Sequence, residues 1–189
     1  KMVDIPRTQA KTINLGLFYG MGKAKLQAEL GVSKEKANEL FTIYHERVPF
    51  VKTLMNSVSN RAQQRGQIRT LLGRLCRFHL WEPNQFGVHK ALPFDQARQE
   101  YGAGIKRAYT YKALNKLIQG SAADMTKKSM LELYKEGIVA HIQVHDELDI
   151  SVEDDKKAEQ IKQIMESAVE LEIPNKVDYE SGKNWGDIK

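Results

Sequence analysis

Ala37, Leu40, Phe41 and Tyr44 follow the i, i+3, i+4, i+7 spacing of an amphipathic helix. Ser33 stands where a cap is needed, so this helix is predicted to start at Lys34. Pro49 breaks it. Val51, Leu54, Met55, Val58 and Ala62 repeat the pattern in a second helix ending near Gly66. Residues 67–72 suit a short strand. Residues 73–94 carry Gly73, Pro83, Asn84, Gly87 and Pro93 and read as a long irregular loop. Asp95 is placed to cap a long helix reaching about Ile118. Gly120 interrupts it, and residues 122–135 are helical again. After Gly137 the pattern changes. Residues 138–144 are apolar and β-branched, and Leu148, Ile150 and Val152 alternate with Asp149 and Ser151. This is a β-hairpin with His145, Asp146 and Glu147 at its tip. Asp154 or Asp155 then caps a helix whose one face is Ala158, Ile161, Ile164, Met165, Ala168 and Val169. Pro174 closes it, and residues 176–179 suit a last edge strand. The order, helices first and a hairpin among helices later, gives an α+β class.

The opening segment also reads as a helix, with Pro6 in its first turn and Gly20 and Gly22 as stops. Arg7, Lys11 and Leu15 are four apart and share a face about 12 Å long at ~1.5 Å per residue. Tyr19 continues the stripe. Two cations followed by an apolar contact match a triphosphate, a sugar and a flat ring. Gly16 costs about 1 kcal/mol against Ala inside a helix, which makes sense if something flat approaches the backbone. Read alone, the same residues make an amphipathic surface helix with two solvated cations.

Composition narrows the classes. The 189 residues suit one domain or two lobes, and 41% hydrophobic content is enough for a core. Mean hydropathy of −0.51 and the lack of any apolar run near ~20 residues argue against a membrane span. The N-terminus has no apolar signal region. Cys76 is the single cysteine, so no internal disulfide or multi-cysteine zinc site forms, and a reducing, cytoplasmic setting is expected. Net charge is +5, with Arg61, Arg65, Arg69, Arg74 and Arg77 crowded together and acids gathered later. A basic first half and an acidic second half suit phosphate contact in one place and metal chemistry in another.

A carboxylate at a hairpin tip is well placed to hold a divalent cation among oxygen ligands. The alternative is an ordinary acidic turn. Asn115 and Gln119, four apart on a helix, can meet minor-groove acceptors without regard to sequence. Residues 70–77, Thr-Leu-Leu-Gly-Arg-Leu-Cys-Arg, are by themselves a basic turn. Two other patterns fail. Gly20-Met21-Gly22-Lys23 lacks the P-loop's first glycine, having Leu17 there, and its hydroxyl residue, having Ala24. His141 and His145 have zinc-like spacing but lie roughly 13 Å apart in a strand at ~3.3 Å per residue, so His141 is structural.

Arg7-x3-Lys11-x3-Leu15-Gly16-x2-Tyr19-Gly20 resembles motif B of the family A DNA polymerases, and Val144-His145-Asp146-Glu147 resembles motif C. Asn115-x3-Gln119-Gly120-x-Ala122-Ala123-Asp124, the Thr70 to Arg77 segment and the Ile173 to Trp185 tail resemble further family segments, in the family's order. The resemblance implies a helical fingers subdomain over residues 1–95 and the C-terminal part of the palm over residues 96–189. It implies a DNA-directed DNA polymerase that transfers nucleotides from dNTPs to a primer 3′ end by two-metal catalysis. Arg7, Lys11, Leu15, Gly16 and Tyr19 would bind the dNTP. Lys11 would act as a proton donor, Asp146 as Mg²⁺ ligand and Glu147 as support. Asn115, Gln119, Gln143, His145 and Arg74 would contact primer–template DNA.

The chain departs from the family in three places. Leu15 stands where Phe or Tyr is usual, Tyr111 where many bacterial relatives have Arg, and motif A, which carries the other metal-binding Asp, is missing. A separate or missing segment is therefore expected to supply motif A and the thumb, either to a truncated piece or to half of a split polymerase. The form of residues 110–115, Thr-Tyr-Lys-Ala-Leu-Asn, is similar to phage members, so a bacterial or phage-infected cell is expected. Two other classes are a non-catalytic DNA-binding remnant and a template-independent transferase, which would extend single strands.

Overall fold

The computed structural model describes residues 7–85 and 90–188. The readings of Pro6 in a first helical turn and of Gly87 in a loop lie outside the described residues. The fold mixes helices with small antiparallel sheets, the expected α+β class. Two compact units divide the chain, Lys1–Ile118 and Gln119–Lys189.

The first unit opens with α1 (Arg7–Phe18), α2 (Lys23–Leu30), α3 (Lys34–Arg47) and α4 (Pro49–Arg65). Ser33 caps α3 as predicted, its Oγ accepting from the Lys36 N–H at 3.2 Å. Pro49 takes the first helical position of α4, where its missing N–H costs nothing. The sequence pattern does not announce α2, because Leu26 is its one fully buried residue. Gly31, at φ 61°, ends that helix in the left-handed region.

Residues 73–85 and 90–94 are not the expected irregular loop. β1 (Gln67–Arg69) and β2 (Leu75–Arg77) form a hairpin. β3 (Leu80–Pro83) then pairs on one side with β4 (Leu92–Pro93) and on the other with β5 (Ile105–Arg107). Strands this short leave little alternation to read, and the partner of β3 lies beyond a helix. Side chains fix the pairing. The Arg107 guanidinium lies 4.6 Å from the centre of the Trp81 ring, and its Nη1 and Nε donate to the carbonyls of Phe78 (2.9 Å) and Gln63 (3.2 Å). Buried Glu82 faces Lys106 across the strands at 3.8 Å.

The helix predicted from Asp95 to Ile118 is also corrected. α5 (Phe94–Tyr101) stops at Gly102, φ 70°, and the chain turns into β5. Asp95 makes no cap bond; Pro93 holds the cap position, and Asp95 sits in the first turn, where a negative charge still suits the helix dipole. The next helix, α6 (Ala113–Lys135), runs through Gly120 without the predicted interruption. One internal glycine costs about 1 kcal/mol, and a helix of 23 residues recovers that through the bonds it propagates on either side. The start of α6 packs Ala113 and Leu114 with Val58, Ala62, Ile68 and Phe78 in the core of the first unit.

In the second unit, β6 (Ile142–Val144) and β7 (Glu147–Asp149) form the predicted hairpin, shorter than expected at both ends. Ile138 is held by the end of α6 instead, its N–H donating to the Leu133 carbonyl at 2.9 Å. α7 (Asp155–Ser167) is capped by Asp154, which accepts from the Lys157 N–H at 2.7 Å. Ile161 of α7 joins Leu133 and Ile138 in a core against which Leu148, Ile150, Ile164 and Met165 pack. Residues 176–179 form no strand. The Val177 N–H is taken by Glu166 Oε1 at 2.9 Å rather than by a neighbouring strand. Among the described residues no third strand joins β6 and β7, and β6 is exposed along its length.

Replacing Asp154 with Ala removes the cap bond of α7 and is expected to cost about 1 kcal/mol. For a chain of this size that is a fall of about 2–4 °C in the thermal midpoint. Circular dichroism melts check it; an unchanged midpoint would mean that the cap bond contributes nothing in solution.

Candidate functional site

α1 is anchored by one side and offers the other. Leu17 is buried, and Phe18 packs on the first unit's core while meeting Tyr19 edge to face at 5.6 Å. On the other side Arg7, Lys11 and Leu15 are exposed, and Tyr19 is half-buried at the helix end. Neither Arg7 nor Lys11 makes an ion pair or hydrogen bond among the described residues. Two charges a turn apart on one helix face, with no acid paired to them among the described residues, suit contact with an anion.

The helix is held from behind. The Tyr44 hydroxyl of α3 donates to the Asn14 carbonyl at 3.4 Å, and burial pushes the Tyr44 phenol up from its ordinary pKa. Beside it His45 packs edge-on against Phe41 and Tyr44, and burial, with Lys52 nearby, lowers its pKa. Neither residue stands out in the sequence; only the fold brings α3 against α1.

Gly16 is covered from within the chain. A Cβ there would run into the terminal methyl of Met21 and stand 3.1 Å from its sulfur. The space expected to admit something flat is taken by that side chain.

The turn between β1 and β2 explains residues 70–77. Thr70, buried, accepts from the Arg74 N–H through Oγ1 at 3.0 Å, and its own N–H donates to the Arg74 carbonyl at 2.9 Å. Gly73 supplies the positive φ of 86° that the turn requires. Arg69 Nη1 donates to the Gly73 carbonyl at 2.8 Å. Arg74 is thereby set at the surface on a fixed turn.

In the second unit, Val144 pairs with Glu147 and leaves His145 and Asp146 as a two-residue turn. His145 adopts φ 54°, and the Gln143 amide donates to the His145 carbonyl at 2.6 Å. Gln143 therefore braces the turn, a role its sequence position did not announce. Asp146 and Glu147 are exposed, and neither carboxylate has a hydrogen bond or ion pair among the described residues. Asp149 pairs with Ile142, away from the tip. His141 Nε2 lies 3.0 Å from Ser151 Oγ, in keeping with a structural role.

Bare carboxylate oxygen at Asp146 suits a hard cation such as Mg²⁺, which takes one or two carboxylates and fills the rest of its shell with water and phosphate oxygen. No group of three or more His, Cys, Asp or Glu able to hold a metal occurs among the described residues; Asp146 offers one carboxylate, and an ion there would take its other ligands from water, phosphate or another segment. Asn115, half-buried, and Gln119, exposed, lie one turn apart on α6. Arg7, Lys11, Leu15, Gly16, Tyr19, Arg74 and Asn115 belong to the first unit. Gln119, Gln143, His145, Asp146 and Glu147 belong to the second. No described helix is long and apolar enough to cross a membrane.

Residues 1–187 match the model of a family described as DNA polymerase family A. The chain is 33% identical to a DNA-directed DNA polymerase of Pseudomonas phage M6, over 98% of this chain and 30% of that one. It is 34% identical to DNA polymerase I of Bacillus caldotenax, over 97% of this chain and 20% of that one. It thus spans a fifth to under a third of these relatives. Among solved structures, the POL domain of Pol1 from M. smegmatis, in complex with DNA primer-template and dNTP, superposes with a TM-score of 0.66 at 29% identity. That superposition covers 89% of this chain and 28% of the other.

Proposed function

The chain belongs to DNA polymerase family A, and from that premise we propose that it provides the fingers, residues 1–95, and the C-terminal palm, residues 96–189, of a DNA-directed DNA polymerase. The observation that carries this is the pair Arg7 and Lys11, exposed on one face of α1 and without an ion-pair partner among the described residues. The complex of primer-template and dNTP known for the M. smegmatis relative supports the same ligands here.

In the proposed reaction the primer 3′ hydroxyl, giving up its proton to water, attacks the α-phosphorus of a dNTP. A new P–O bond forms, the bond to the bridging oxygen breaks, and pyrophosphate leaves. Arg7 and Lys11 bind the triphosphate oxygens, Arg7 as a fork and Lys11 as a point charge. Lys11 gives its proton to the departing pyrophosphate. Leu15 lies against the sugar, and Tyr19 packs beside the new base pair. Asn115, Gln119, Gln143, His145 and Arg74 position the primer–template. Asp146 holds Mg²⁺, with Glu147 in support, and a second carboxylate comes from a segment carrying motif A, which the 189 residues do not contain. Bound there, the ion supplies Lewis-acid stabilisation of phosphoryl charge. The thumb comes from the same partner segment.

Primer extension tests the reading. The purified chain with labelled primer–template and four dNTPs is expected to add no nucleotide, and to gain templated extension when a polypeptide carrying motif A and the thumb is supplied. Extension by the chain alone would show that the second carboxylate is not needed from outside. Extension of single strands without template would instead identify a template-independent transferase.

A further inference from the structure

α1 and α6 end with the same hydrogen bonds but not the same side chains. At the end of α6, Gly137 takes φ 73°, its N–H donates to the Tyr134 carbonyl (3.0 Å), and the Ile138 N–H donates to the Leu133 carbonyl (2.9 Å). Ile138 and Leu133 are both buried and pack together, the apolar contact that usually accompanies this ending. At the end of α1, Gly20 takes φ 84°, its N–H donates to the Leu17 carbonyl (3.1 Å), and the Met21 N–H donates to the Gly16 carbonyl (2.8 Å). Met21 thus corresponds to Ile138, and Gly16 to Leu133. With no side chain at residue 16, the Met21 thioether lies directly on the helix backbone, where a Cβ would meet its methyl. Met21 stays half-exposed there, whereas Ile138 is buried.

A ring arriving above Gly16 therefore meets sulfur and methyl rather than peptide. Leu15, exposed, precedes Gly16 in the chain, and Tyr19 lies about 60° round the helix at ~100° per residue. Lys11 is about 7.5 Å back along the axis at ~1.5 Å per residue and about 140° round the helix at ~100° per residue, so the sugar joining charge and ring crosses Leu15 and Tyr19, which lie about 40° and 80° along that arc. We propose that Met21 is a further substrate-contacting residue, its thioether seated on Gly16 as the surface against which the base of the incoming nucleotide packs. This rests on the reading of α1 as the triphosphate helix. The chemistry suits a templated reaction. Sulfur is polarizable and favours contact with aromatic rings. A thioether is only a weak acceptor, so it does not select among bases, and every base offers a π-face.

The test uses the 189-residue chain with ¹³C-methyl-labelled methionine, its Met21 signal identified by loss in Met21→Leu. dATP and inorganic tripolyphosphate are titrated in parallel. Both are expected to bind, and dATP alone should move the Met21 methyl signal upfield through the ring current of the base. Met21→Ala should weaken dATP binding about two- to tenfold and leave tripolyphosphate binding unchanged. If both ligands bind while the Met21 signal stays still, the proposal is overturned and α1 remains a triphosphate helix. If neither ligand binds, the α1 reading falls and the proposal with it. The methyl shift is read in the unsubstituted chain, so the outcome stands whether or not Met21→Ala folds.

Discussion

Asp146→Asn is expected to abolish templated extension in any assembly containing this chain, slowing it by at least about a thousandfold. The substitution keeps the size of the side chain and one oxygen but removes the charge. A divalent ion held between carboxylates and phosphate oxygens lowers the barrier by several kcal/mol, and about 4 kcal/mol is already a factor of a thousand in rate. The fold should not suffer. Asp146 is exposed in the hairpin turn and bonds to nothing among the described residues, so its loss should stay within about 0.5 kcal/mol in stability. The measurement is single-turnover extension over a range of Mg²⁺, beside a thermal melt of the same protein. Extension within tenfold of the unsubstituted assembly, with an unchanged melt, would remove Asp146 from the metal site.

Lys11→Ala and Arg7→Ala should each weaken dNTP use by roughly ten- to a hundredfold. A charge-assisted contact to phosphate is worth about 1.5–3 kcal/mol once water is excluded, and 1.4 kcal/mol is tenfold in affinity. Both residues share a face and one ligand, so the double substitution should cost less than the sum. Lys11→Arg separates the two roles given to this residue. Arginine keeps the charge but does not release its proton, so binding should persist while the chemical step slows by about a hundredfold or more. Titration of dNTP and pre-steady-state extension read the two separately. Unchanged dNTP use in both alanine variants would leave α1 an ordinary surface helix.

Helices with a repeating apolar face were legible from the chain: α3, α4 and α7 start where spacing and caps put them, Ser33 and Asp154 included, although α7 stops at Ser167, short of the Ala168 and Val169 expected on its face. The sheet around β3 was not. Its register joins Trp81 to Arg107 across a helix, and the contacts that select it, Arg107 on Trp81 and Lys106 facing Glu82, are between residues far apart in sequence. Glycine misled in both directions. Gly102 ended a helix expected to continue, and Gly120 did not end one expected to stop. What decides is the packing beyond each glycine, which local pattern does not contain. At the candidate site, residues that face water were legible through charge and spacing, as with Arg7, Lys11 and Asp146. Residues that shape it from behind were not: Tyr44 reaches α1 from another helix, and Met21 lies past the helix stop and folds back.

The hairpin of β6 and β7 carries a further consequence, for how the chain behaves in a tube. Among the described residues no strand pairs with its outer edges, and Ile142 and Val144 are exposed along β6. Such an edge is a template on which another molecule can add a strand, the first step toward aggregation. The exposed carboxylates of Asp146 and Glu147 stand at the turn beside that edge, charged side chains of the kind that blunt strand addition. Substituting both acids with amides therefore leaves that edge less guarded, although it raises the net charge of the chain above +5.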